Sequence, residues 1–408
     1  MDGSGLGAGL GAGADAGAGA DAGAGAAGGA AGGAAGGAAE PPPPPARGPR
    51  VVAVTREGHR GALGAARLNR AQAGLGHLLA TAGSGFATVY DCRRFGNSGG
   101  VALQLQCASG PAGRPSVAWV SAHGLSDHPY GDAWLAVGGA EAEAVEVVST
   151  VAAEVVALLP GHAGGVLALA SCEALPGVLV ALCPGGLVRI WFLGRDARGG
   201  RLSELRAGED CTTVAVRVRG AGGGSGAKEG EVLTGHEDGA IRAWDFGEGG
   251  SRKPRLLVPG TSQGLCDIDA LRRSQDVLAN FRNGRFVVYG PDGAERTRWR
   301  VPQSMGLRCS FGLTEDEGFV CCGDSLGELH FFDTATGKRT FSLGPYRLSK
   351  PVAACQVREG SAEVYAVLGD GFIFQWAVPH AEHELEDEPL PPPPPTLPAP
   401  GLAAGPAL

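Results

Sequence analysis

Several features of common functional classes are missing from this sequence. None of its ten cysteines forms a C-x-x-C pair, and no histidine pair at zinc spacing accompanies them, which argues against the usual structural zinc modules. No window reaches about 18 strongly apolar residues, so no membrane-spanning helix is expected. There is no G-x-x-x-x-G-K-[ST] phosphate loop. Gly224-Ser225-Gly226 lies in a glycine-rich loop with no strand-to-helix turn to make it a nucleophile elbow. Residues 1–50 have neither a basic leader nor an apolar h-region, so they do not read as a secretory signal.

Basic excess is missing too. The formal net charge is −8, and residues 1–50 and 380–408 together carry nine acids against two bases, which leaves about −1 for 51–379. A near-neutral middle gives no global case for nucleic acid. Most of the cysteines fall within apolar, strand-like runs such as Phe319-Val320-Cys321-Cys322, where cysteine behaves as a small hydrophobe. The expectation is free thiols in a reducing, intracellular compartment, cytoplasmic or nuclear.

Glycine is plentiful, with 71 residues. Residues 1–50 are glycine and alanine followed by Pro41–Pro45, and residues 380–408 are acidic and proline-rich. Such composition cannot offset its ordering entropy, so both tails are expected to be disordered. Pro41–Pro45 reads either as a ligand for proline-binding domains or as a stiff linker.

Residues 51–379 repeat a pattern of apolar strand, loop, strand, glycine-rich turn and a strand ending in an aromatic. The clearest copy is Leu233–Phe246, LTGHEDGAIRAWDF. Asp238-Gly239 supplies the positive φ of a tight hairpin, and Ile241, Ala243 and Phe246 alternate with Arg242 and Asp245. A strand, an Asp-Gly turn and a strand ending in Trp244-Asp245 closely resemble the end of a WD40 repeat. Gly58-His59 and Gly161-His162 occupy that family's Gly-His position. Tyr90-Asp91, Phe332-Asp333, Trp191 and Trp376 stand where its Trp-Asp pair belongs. His236 is read as a turn residue outside the Gly-His position, and no unit is expected to complete the family's buried His–Ser/Thr–Asp–Trp network. The two ends of the repeat region are expected to meet in register, without an N-terminal strand completing the last blade.

Seven units fit, at about 47 residues each. The resemblance therefore implies an all-β, seven-bladed WD40-like β-propeller over 51–379, flanked by the tails 1–50 and 380–408. It also implies a non-catalytic scaffold that binds proteins or peptides and needs neither a cofactor nor a small-molecule substrate.

The connections between units, with the loops between second and third strands, should open on one face. They carry Arg93, Arg94, Arg252, Lys253 and Arg255, with Arg70, Arg272 and Arg273 in the second set. Bases gathered on one face favour an acidic protein or peptide partner; the bland reading is solvated loop charge. Two alternatives stand beside the scaffold: a chromatin or nucleic-acid module using those basic loops, and a propeller enzyme with a central-channel site. His123, Asp127, His128 and Asp132 fall within ten residues; they read as possible metal ligands or as a polar turn.

Overall fold

Segments such as Leu78–Gly83, Ala133–Gly138 and Val178–Leu182 are buried at every residue. A strand without a polar face must be covered on both sides, and radial stacking of sheets provides that cover. The protein is seen in a computed structural model. It describes residues 49–57, 63–83, 85–95, 100–106, 115–128, 131–139, 143–162, 164–197, 201–218, 230–247, 253–301, 311–344, 350–358 and 363–378. Among them, the strands form seven four-stranded antiparallel sheets, the blades of a β-propeller.

The first strand, β1 (Arg50–Arg56), stands apart from the run that follows. Blade 1 comprises β2 (Leu63–Leu68), β3 (Leu78–Gly83), β4 (Phe86–Asp91) and β5 (Val101–Gln106). Blade 2 comprises β6 (Ser116–Ser121), β7 (Ala133–Gly138), β8 (Ala144–Ser149) and β9 (Glu154–Pro160). Blade 3 has β10 (Ala168–Ser171), β11 (Val178–Leu182), β12 (Leu187–Phe192) and β13 (Arg201–Arg206). Blade 4 has β14 (Cys211–Val218), β15 (Gly230–His236), β16 (Ile241–Phe246) and β17 (Arg255–Val258). Blade 5 has β18 (Leu265–Ala270), β19 (Val277–Phe281), β20 (Arg285–Tyr289) and β21 (Glu295–Arg300). Blade 6 has β22 (Gly312–Leu313), β23 (Phe319–Gly323), β24 (Leu329–Asp333) and β25 (Arg339–Leu343). Blade 7 runs β26 (Val352–Arg358), β27 (Glu363–Leu368) and β28 (Phe372–Ala377), and its fourth strand is β1.

That closure corrects the expectation that the ends meet in register. β1 pairs antiparallel with β28, Arg50 opposite Ala377 and Arg56 opposite Phe372. The apolar strand that opens the first repeat unit thus completes the last sheet, and both ends of the described chain are held in one blade.

Seven clusters of buried hydrophobic side chains form the core, one between each pair of neighbouring blades. Blades 2 and 3 share Trp134, Leu179 and Trp191. Blades 7 and 1 share Tyr365, Ile373, Leu79 and Tyr90. Blades 5 and 6 share Phe286, Trp299, Phe311 and Phe332, with Trp299 stacked on both Phe286 and Phe332. The tight turn of the clearest repeat forms as expected. Gly239 has φ of 85°, and Asp238 Oδ1 accepts from the Ala240 N–H at 2.8 Å. The expected tails fall outside the described residues apart from positions 49 and 50.

If β1 closes the ring, a chain beginning at Gly48 should melt like the full chain. A chain beginning at Glu57 should lose cooperative unfolding or aggregate, because β28 becomes an open edge. Calorimetry and size-exclusion chromatography of the two truncations check this; equal melting of both would place the closure elsewhere.

Candidate functional site

Inside blade 4 a chain of hydrogen bonds links four side chains. Trp244 Nε1 donates to Thr234 Oγ1 at 3.0 Å. Thr234 Oγ1 lies 3.0 Å from His236 Nε2, and His236 Nδ1 lies 3.1 Å from Asp210 Oδ1. Trp can only donate, so the threonine hydroxyl donates onward to Nε2, and the imidazole N–H sits on Nδ1, facing Asp210. Burial lowers the pKa of His236 first, and Arg242 beside it adds to that against the raising influence of Asp210, which agrees with a neutral ring. This corrects two expectations. His236 is a fully buried residue at the end of a strand, and blade 4 does complete a Trp–Thr–His–Asp network. The sequence concealed it because the histidine comes from the second strand and the acid from ahead of the first.

Register then relates the other blades to this one. Trp244 faces Val232, and Thr234 lies two residues further along. In blade 3 Trp191 faces Leu179, and the residue two further along is Ala181. The missing hydroxyl leaves a mark: Trp191 Nε1 and His162 Nε2 are buried there without a hydrogen-bond partner among the described residues. His162 keeps only Cys183 Sγ, 3.2 Å from Nδ1. Burial, aided by Arg189, pushes its pKa down to about 4. Gly161 before it has φ of 92°, and a side chain there would collide with the Arg189 guanidinium. In blade 1 the corresponding pair is Tyr90 and Thr81, and Glu57 is the acceptor they share. Gly58 and His59 lie outside the described residues.

The acids that follow the aromatics do a different job. Asp91 grips Arg93 through Nε and Nη2, both at 2.9 Å, and caps the turn through the Arg93 N–H. Asp333 accepts from the N–H and hydroxyl of Thr336. Asp245 is half-buried, and Trp376 is buried in the core between blades 6 and 7.

Of the basic residues expected to bind a partner, Arg93, Arg94 and Lys253 lie in third-to-fourth strand connections and Arg255 opens β17, and they do not lie together. Arg93 and Arg94 belong to blade 1, and Lys253 and Arg255 to blade 4, three blades away around the ring. Arg93 is paired with Asp91. Arg255 is paired at 3.0 Å with Glu231, a carboxylate also held by the buried Arg217 at 2.7 Å. Arg94 is exposed, and Arg252 lies outside the described residues.

A cavity of about 250 Å³ occupies the central channel, lined chiefly by β2, β6, β10, β14 and β18. The connections between first and second strands close one end of it. Arg272 pairs with Glu173 of blade 3 and donates to the Arg70 carbonyl of blade 1 at 2.6 Å. Glu317 of blade 6 accepts from the backbone N–H groups of Arg272 and Arg273, and Arg70 donates to the carbonyls of Leu313 and Val357. Sequence reading placed Arg70 and Arg272 on a free surface; the structure makes them the floor of the channel. The signal for this lay in the acids of neighbouring units, which only the ring brings close.

The loop residues His123, Asp127, His128 and Asp132 do not converge. Asp127 lies 3.5 Å from Arg195, and Asp132 accepts from Trp134 Nε1 and Ser149 Oγ. Among the described residues, the side chains close enough to share a metal ion are Asp324, Glu328 and His330. Both ring nitrogens of His330 already have partners, Asp324 at Nε2 and Ser342 at Nδ1, each at 3.1 Å. The arrangement is that of a buried structural pair in blade 6.

No family model matches this sequence, and no curated protein does. Among solved structures, the chain is similar to Raptor from Chaetomium thermophilum, with a TM-score of 0.61 at 15% identity over 82% of this chain. The chain spans 29% of that structure's length. At this identity the likeness is one of fold.

Two substitutions should move stability in opposite directions. Thr234→Val removes the hydroxyl between Trp244 and His236 and should cost about 1–3 kcal/mol. Ala181→Ser supplies the missing hydroxyl in blade 3 and should add on the order of 1 kcal/mol. Urea unfolding checks both; a destabilising Ala181→Ser would show that blade 3 has no room for the bridge.

His162 also makes stability depend on pH. Its folded pKa lies below its unfolded value, so the unfolded chain binds the extra proton between them. Stability should therefore be fully present above pH about 6.5 and fall as pH drops toward about 4. His162→Gln should flatten that part of the profile, as read from denaturant midpoints across the range. An unchanged slope would assign it to other groups.

Proposed function

We propose that the chain is a WD40-type propeller that works as a non-catalytic scaffold, holding protein or peptide partners inside the cell. The observation that carries this reading is an apolar stretch of rim. The outer strands of three successive blades, 7, 1 and 2, expose Val52, Val54, Val101, Val155 and Leu158, the last at 62%. The outer strands of blades 5 and 6 instead expose Arg296, Arg298, Arg300 and Arg339. Apolar side chains left on adjacent edges, in a chain whose inter-blade cores are filled, are the usual mark of an interaction surface. The Trp244–Thr234–His236–Asp210 chain supports the WD40 assignment. The free thiols among the described cysteines fit a reducing compartment.

A second contact is proposed on the face of the third-to-fourth strand connections. There Arg93, Arg94, Arg252, Lys253 and Arg255 meet an acidic peptide, Arg93 and Arg255 each also holding a carboxylate of this chain. Local pairing of this kind lowers the pull on a polyanion, and no observation favours nucleic acid over protein.

Affinity purification with three forms of the chain tests the proposal. Leu158→Lys combined with Val101→Lys should lose partners that the wild type retains, with melting unchanged. Arg94→Glu combined with Lys253→Glu should weaken any acidic partner, more at low salt than at high salt. If both double variants keep the full wild-type set of partners, neither surface is the docking site and the scaffold reading loses its support.

A further inference from the structure

The central channel holds an ion pair that is not quite closed. Arg67 of β2 in blade 1 and Asp267 of β18 in blade 5 reach toward each other across the cavity. Arg67 Nη2 and Asp267 Oδ2 stop 3.6 Å apart, too far for a hydrogen bond. Both side chains remain accessible, at 36% and 19%. The guanidinium has one long contact, Nη1 to the Ala66 carbonyl at 3.5 Å. Asp267 Oδ1 accepts from the Ile268 N–H at 3.1 Å and lies 3.5 Å from Thr213 Oγ1. Among the described residues, Oδ2 accepts no hydrogen bond, and Arg67 Nε and Nη2 donate none. A guanidinium and a carboxyl whose pKa burial raises, against the lowering pull of Arg67, therefore face one space with hydrogen-bonding capacity to spare, over a floor where Glu173 pairs with Arg272 and Glu317 holds backbone N–H groups.

Charge narrows what fits. A simple anion drawn to Arg67 meets the carboxylates of Asp267 and Asp269, both on the cavity wall. A simple cation drawn to Asp267 meets Arg67. A molecule with an ammonium and a carboxylate side by side offers each wall group its complement. The guanidinium takes the carboxylate through parallel N–H donors, and Oδ2 accepts from the ammonium. Small apolar residues, Ala65, Ala168 and Ala170, also line the cavity. At about 250 Å³ the cavity is smaller than the roughly 300–1,000 Å³ of drug-sized pockets, which suits a small metabolite. We propose that the channel between Arg67 and Asp267 is a binding site for a small zwitterion of the α-amino acid class. This goes beyond the scaffold reading and does not depend on where partners dock.

Isothermal titration of the full chain with the standard L-α-amino acids, each at millimolar concentration, tests the site. At least one should bind saturably with one-to-one stoichiometry. Its N-acetyl derivative, which lacks the ammonium, and its methyl ester, which lacks the carboxylate, should each bind at least about tenfold more weakly. Arg67→Gln and Asp267→Asn should each impose a loss of similar size, while Arg339→Gln, exposed on the outer strand of blade 6, should change nothing. Binding by none of the amino acids overturns the proposal, and so does equal binding of both derivatives. Should a channel variant fail to fold, the derivatives on the wild-type chain still decide the question.

Discussion

Every blade depends on its neighbours for both faces, and this one constraint orders the rest of the molecule. A strand sends successive side chains to opposite sides of its sheet, so each central strand serves two cores at once. In β11, Leu179 and Ala181 enter the cluster shared with blade 2, while Val178, Val180 and Leu182 enter the one shared with blade 4. No blade has a core of its own. Stability is therefore nearest-neighbour in character, and polar groups inside a blade must satisfy one another, since water reaches neither face. The Trp244 chain, the Tyr90–Thr81–Glu57 group and the His330–Asp324 pair are three solutions to that one problem. Asp324 shows how tightly it is met. Burial would raise its pKa, yet the hydrogen bonds from His330 and from the Glu328 and Leu326 N–H groups outweigh that and hold it below the usual range.

The fold was largely legible because its signal is periodic. Apolar strands and glycine turns recur along the chain, and the unit containing Leu233–Phe246 supplies the register for the rest. The closure was not legible, because β1 reads locally as the start of a repeat; only pairing with β28 reveals that it belongs to the last sheet. The network in blade 4 was missed for a related reason. Its histidine and acid have changed places along the chain, and a motif read by order cannot register a contact set by geometry. The channel was hidden more completely, since Arg67 and Asp267 lie two hundred positions apart in the numbering and neither belongs to a recognisable motif.

Charge tells a similar story. Read along the chain, the connections look basic; in the folded molecule Asp91, Glu231, Glu173 and Glu317 are drawn in beside Arg93, Arg255 and Arg272. The near-neutral total of 51–379 nonetheless covers unlike blades: residues 116–160 of blade 2 carry six acids and no Lys or Arg, while residues 63–106 of blade 1 carry four bases and one acid.

The pairing of β1 with β28 also bears on how the molecule comes into being. Contacts between residues this distant are slow to form, because loop closure must come before any of the pairing is rewarded. Of the described strands, β1 is made first and its partner last. Until β28 is made, β1 has no partner strand, and the last blade built lacks a neighbour on one face. Such intermediates are aggregation-prone, so the strand that seals the finished ring is a liability until the ring is complete.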